Sequence, residues 1–226
     1  MRTLKGDRWV ALLLAGVTVG CGGEGVPATP APPGEPAAPH VSPAPDLLRE
    51  DALVPPGFGT LRQDDITLTL QAGDLLVKAT PLEESVIRLT APDTYQRLSG
   101  LAHTHRDRLL ARSGAREVTL FLVSFFSYQP SVVFQPEDLT VVTEGIRLRP
   151  AAVQGMTPGW GSQRLGQQET QLAVYAFPTR VDFDTGLVAE YGTARHDGWD
   201  RLIPLLQAER AKIRARATGV EGGGGS

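Results

Sequence analysis

Residues 118–128, VTLFLVSFFSY, set the terms on which this chain can fold. Apolar side chains occupy odd and even positions alike, and four of the eleven residues are aromatic. A half-exposed strand would alternate. A run of this length and aromatic content suits a central strand covered on both faces. The fold must therefore place one layer above this strand and another below it.

The neighbouring segments are candidates for those layers. Residues 66–72 (ITLTLQA) alternate apolar and polar groups, and Gly73-Asp74 turns the chain into an apolar run at 75–79. Short runs at 86–89, 132–134, 170–177, 181–183 and 187–191 read as further strands. Residues 139–143 and 146–149, joined by Glu144-Gly145, read as a hairpin. Tyr95, Leu98, Ala102, His105 and Leu109 recur at helical spacing, with Thr90 and Asp93 spaced as a capping box ahead of them. Residues 200–216 read as a terminal helix and 154–168 as a glycine-rich loop. Strands and helices do not alternate as a parallel sheet requires. The expected class is mainly β: an antiparallel β-sandwich of Ig-like or Greek-key type, with one inserted helix and one C-terminal helix.

The beginning of the chain has a different character. Arg2, Lys5 and Arg8 precede an eleven-residue apolar run at 9–19. That run is shorter than the roughly 20 residues a membrane helix needs, and it has the layout of an export signal. It ends in Thr18-Val19-Gly20-Cys21, and Cys21 is the only cysteine among the 226 residues. These residues resemble the lipobox of bacterial lipoproteins, with Thr18 standing where that family prefers leucine. The resemblance covers residues 1–21. It implies cleavage before Cys21, diacylglycerol on its sulfur and acylation of the new amino terminus. Gly22, where a retained protein would have aspartate, resembles the outer-membrane class. An ordinary secretory signal with an incidental cysteine is the other reading of the same residues.

The expected organisation is then a signal at 1–20, a lipidated Cys21 with a proline-rich tether to residue 46, one domain at 47–218 and a glycine-rich tail at 219–226. The tether holds eight prolines and almost no large apolar group, so it has no core to offset ordering. Extended at about 3.1 Å per residue, it serves as a spacer between bilayer and domain. Loss of the signal moves the formal charge from −3 to −5. Such a balance gives no reason to expect nucleic-acid binding. A lone cysteine excludes an internal disulfide framework.

Chemistry-bearing motifs are few. His103-Thr104-His105-Arg106-Asp107 resembles part of the metallo-β-lactamase-type metal motif, but on a helix His103 and His105 point about 200° apart. Asp182 and Asp184 flank Phe183, and on a strand their carboxylates would share one face as a weak calcium candidate. Gly159-Trp160-Gly161-Ser162-Gln163-Arg164 lacks the third glycine of a dinucleotide loop and fails the Gly-x-Ser-x-Gly pattern. It remains a possible partner-binding loop through Trp160, Ser162 and Arg164, with Trp160 equally able to plug one end of the sandwich. The basic groups of the terminal helix, Arg201, Arg210, Lys212, Arg214 and Arg216, suit the helix dipole or an anionic lipid surface. No motif calls for a cofactor, and no catalytic residue is assigned. The expectation is a lipid-anchored envelope protein, joined to the membrane by its lipid and to an envelope protein or polymer by a non-catalytic domain. The alternative is an envelope hydrolase whose site assembles only in three dimensions. An exposed apolar patch would favour the binder, and a pocket joining His196 or buried carboxylates to the glycine-rich loop would favour the enzyme.

Overall fold

The computed structural model describes residues 54–222, with side chains through residue 218. The signal, Cys21 and the tether lie outside the described residues. The fold is mainly β and its strand pairs are antiparallel. Among the described residues, eleven strands form three sheets, joined by three α-helices.

The run that opened the sequence analysis is β3 (Thr119–Ser127), the middle strand of a five-stranded sheet ordered β1-β2-β3-β9-β7. Its neighbours are β1 (Leu68–Ala72), β2 (Leu75–Pro81), β9 (Glu169–Phe177) and β7 (Ala152–Gly155). The register pairs Phe121 with Tyr175 and with Pro81, and Phe125 with Gln171 and with Val77. A four-stranded sheet, β11-β10-β5-β6, is built from β5 (Leu139–Thr143), β6 (Ile146–Leu148), β10 (Leu187–Tyr191) and β11 (Ala194–His196). The expected hairpin is present between β5 and β6, and its turn residues Glu144 and Gly145 have φ of 50° and 77°. That is the primed turn a two-residue loop needs. A third, two-stranded sheet pairs β4 (Val132–Val133) with β8 (Arg164–Leu165).

The two faces of the five-stranded sheet are covered by different layers. On one face Phe125 meets Tyr191 of β10 ring to ring at 5.6 Å, and Phe121 meets Phe183 at 5.9 Å. On the other lies α2 (Pro92–Ser113), whose Arg112 reaches Gln154 of β7 at 3.1 Å. Leu98, Ala102 and Leu109 make its buried stripe. Pro92 occupies the first turn of α2, where its missing N–H costs nothing. Thr90 does not cap the helix as predicted; its hydroxyl donates to Ile87 O at 2.7 Å.

Two other sequence expectations change. Residues 86–89 are not a strand. Glu84–Ile87 forms the short helix α1; three apolar residues and Arg88 are too short a run to distinguish the two periods. Val181, Asp182 and Phe183 are likewise not a strand but lead into a turn. The terminal helix α3 (Trp199–Gly222) buries Trp199, Leu206, Glu209 and Ile213 along one stripe, and Pro204 lies inside it. Its backbone continues past residue 218 into the segment read as a tail.

The chain enters the described region through a strap fastened at several points. Leu61 N donates to Leu89 O at 3.1 Å and Ala91 N to Leu61 O at 2.9 Å. Gly59 lies so close to this junction that a Cβ would fall 2.3 Å from the Leu89 carbonyl. Thr60 gives both its N–H and its hydroxyl to Glu209, at 3.0 and 2.8 Å, and Arg216 bridges Glu209 to Phe58 O.

Candidate functional site

The loop carrying Trp160, Ser162 and Arg164 is held from below by β9. Gln171 donates to Arg164 O and to Glu169, and Glu169 accepts from Gly166 N at 2.6 Å. The Gly166 bond, with that from Gln171, holds the Glu169 carboxylate below its usual range. Trp160 points inward. Its ring lies 5.2 Å from Phe134, 5.9 Å from Phe125 and 6.4 Å from Tyr175. Gly155 makes room for it, since a Cβ there would stand 2.3 Å from the indole. Trp160 therefore plugs one end of the core, the second of its two predicted roles. Ser162 donates to Gly159 O at 2.8 Å and Arg164 to Ser131 O at 3.3 Å, so both brace the loop. Tyr175, in the same cluster, donates to Pro136 O, and burial pushes its phenol well above the ordinary range.

Asp182 and Asp184 do approach each other, through a turn rather than a strand. Asp182 accepts the backbone N–H of Asp184 at 2.9 Å. Asp184 is paired with Arg210 of α3, which also donates to Ser85 O. Arg210 thus already supplies Asp184 with a cationic partner. Among the described residues no three His, Cys, Asp or Glu side chains gather as a metal site requires. His103 is exposed with Nδ1 against Ser99 O, one turn back on its own helix.

These two aspartates line a cleft of about 590 Å³ that no sequence motif announces. Glu83, Ser85, Arg180, Gln207, Arg210 and Arg214 contribute its polar wall, and Val54, Val181 and Phe183 its apolar floor. The residues come from four separate stretches of chain, which is why spacing alone does not reveal it. Neither His196 nor the glycine-rich loop lines it. His196 instead places Nδ1 2.9 Å from Thr69 O on β1.

A second feature is the bare end of the five-stranded sheet. In β3 the first five residues are all buried, whereas from Ser124 onward only alternate residues are. β9 mirrors this, with burial on both faces confined to residues 173–177. At the uncovered end Leu76, Phe126 and Leu172 share one face by strand alternation and register, and all are half-buried. Tyr128 continues that face, 67% exposed, its ring edge-on to Phe126 at 4.6 Å. Met156, bonded through its N–H to Leu172 O, completes the patch and is 37% exposed. The sequence pattern of 118–128 predicts cover on both faces throughout, whereas from Ser124 onward only one face is buried, because the helix that closes the other face reaches only the first half of the strand.

Compared with family models, with curated proteins and with solved structures, the chain gives no match. Among the described residues no helix is long and apolar enough to cross a membrane.

Proposed function

We propose that this chain is a lipid-anchored bacterial envelope protein whose β domain binds another envelope component through the bare end of its five-stranded sheet. The observation that carries the binding role is the Leu76–Phe126–Tyr128–Leu172–Met156 patch. Apolar groups gathered on one uncovered face mark interaction surfaces, whereas scattered ones need no explanation. Tyr128 and Met156 are residue types enriched at such interfaces. The anchoring role rests on the residues ahead of the domain, where a basic start, an apolar core and Cys21 resemble a lipoprotein signal. Two or more acyl chains hold a protein to a bilayer stably, at about 0.8 kcal/mol per buried CH₂.

The test is photo-crosslinking in cells from position 128, with position 108 on α2 as control, combined with the mass of the amino-terminal peptide. The expected result is one envelope component captured from position 128 and not from 108, and a diacylglyceryl adduct on Cys21. Identical products from both positions would remove the binding surface, and an unmodified Cys21 would remove the anchor.

A further inference from the structure

Among the described residues one side chain carries sulfur, and it lies in the apolar patch. Apart from Met1, Met156 is the only methionine in the 226 residues, and Cys21 is the only thiol. Met156 directly follows β7, and its backbone is clamped to β9 from two sides. Its N–H donates to Leu172 O at 2.8 Å, and Leu172 N donates to the Thr157 hydroxyl at 3.2 Å. This pairing sets the Met156 side chain beside Leu172 on the uncovered face. Gly155 has no side chain to shield it, and Met156 is 37% exposed and outside the buried core. Of the side-chain types in the described domain, the thioether is the one that hydroperoxides oxidise readily.

The chemistry is a single oxygen transfer. The sulfur lone pair attacks the terminal oxygen of a hydroperoxide, an S–O bond forms and the O–O bond breaks. Sulfur is oxidised by two electrons and the peroxide is reduced; its departing oxygen takes up the proton of the transferred oxygen and leaves as water or an alcohol. The sulfoxide puts a strong hydrogen-bond acceptor where an apolar group stood. On the free, solvated surface that acceptor finds water and disturbs the fold little. Under an apolar partner it is left without a donor and opposes binding. We propose that Met156 is a reversible oxidation site that switches the apolar surface off, given that this surface is where the domain binds its partner. The oxidant is a hydroperoxide. A methionine sulfoxide reductase restores the thioether, taking two electrons from a pair of thiols that become a disulfide while the oxygen leaves as water. The clamp at Leu172 holds the sulfoxide in the patch, so the loop does not carry it away.

The test photo-crosslinks the full-length chain from position 128 in isolated envelopes, before and after hydrogen peroxide, with the sulfoxide at Met156 measured by peptide mass. Capture of the partner should fall tenfold or more as Met156 is converted, and return on treatment with sulfoxide reductase. Met156→Leu should keep its capture in peroxide, and Met156→Gln should lose it without peroxide. The denaturant midpoint of the purified chain should be the same before and after conversion. Capture unchanged at full conversion, a Met156 that peroxide leaves untouched, or a Met156→Leu variant that loses capture as the natural chain does would each overturn the switch and leave the binding surface standing. A midpoint that falls with conversion would overturn it too, by making the sulfoxide a lesion of the fold. No component captured from position 128 by the untreated chain would remove the binding surface itself, and the switch with it.

Discussion

The two ends of the five-stranded sheet are made from the same strands with the same alternation, yet they meet different fates. At the end containing Leu120, Leu122, Val174 and Ala176, α2 closes one face, and every residue of β3 from Thr119 to Val123 is buried. At the end containing Leu76, Phe126 and Leu172, the same face is uncovered, while the opposite one is filled by Phe125, Phe134 and Trp160. Alternation assigns a side chain to a face. Whether that face becomes core depends on a neighbour supplied from elsewhere in the chain.

The largest test of this contrast is a matched pair of truncations. Leu120→Ala removes a fully buried group under α2 and should cost about 2–5 kcal/mol in denaturant unfolding. Phe126→Ala, on the same face at the other end, should cost no more than about 1 kcal/mol. Equal costs would mean that the bare end is packed in solution. Gly155→Ala probes the filled face of that end. Its Cβ would strike Trp160, so a loss of about 1–3 kcal/mol is expected.

Glu209 tests how the covered end is fastened. Burial pushes its carboxyl upward, but hydrogen bonds from Thr60 and Arg216 outweigh this and leave it below the usual glutamate range. A lowered folded pKa means stability that is complete above the unfolded value and lost as pH falls through the folded one. Glu209→Gln should therefore cost about 1–3 kcal/mol at pH 7, and less once the pH falls below about 4. A difference between the two proteins that is constant from pH 7 to 3 would contradict the ion-pair account. The smallest effect belongs to Tyr128→Ser, which should change stability by no more than about 0.5 kcal/mol while abolishing the partner contact proposed for this surface.

Long periodic segments were legible in the residues alone. The β3 run, the 139–148 hairpin and the α2 stripe all appear where their patterns place them. Short segments were not. The four residues at 86–89, three of them apolar, fit a strand or a helix turn, and the main-chain N–H groups of 86–90 settle on helical carbonyls. β8 lies within, and β7 runs into, the residues 154–168 read as loop because Gly155, Gly159, Gly161 and Gly166 dominate that stretch. Their pairing depends on β9 and β4, which no local pattern specifies. The candidate site divides in the same way. Trp160 was visible as a residue with two possible roles, and only its ring neighbours decide between them. The cleft draws on residues more than a hundred positions apart, from Val54 to Arg214, and has no signature along the chain.

The strap also has a mechanical meaning. A pull on the chain ahead of Val54, as a membrane anchor would exert, is met first by Arg88 at Val54 O. It then reaches Glu209 and Arg216, which grip Thr60 and Phe58 from the last helix. The final element of the fold thus restrains the first, and tension at the entry passes into α3 before it reaches β1. A chain shortened ahead of Glu209 would keep every strand and lose its mooring.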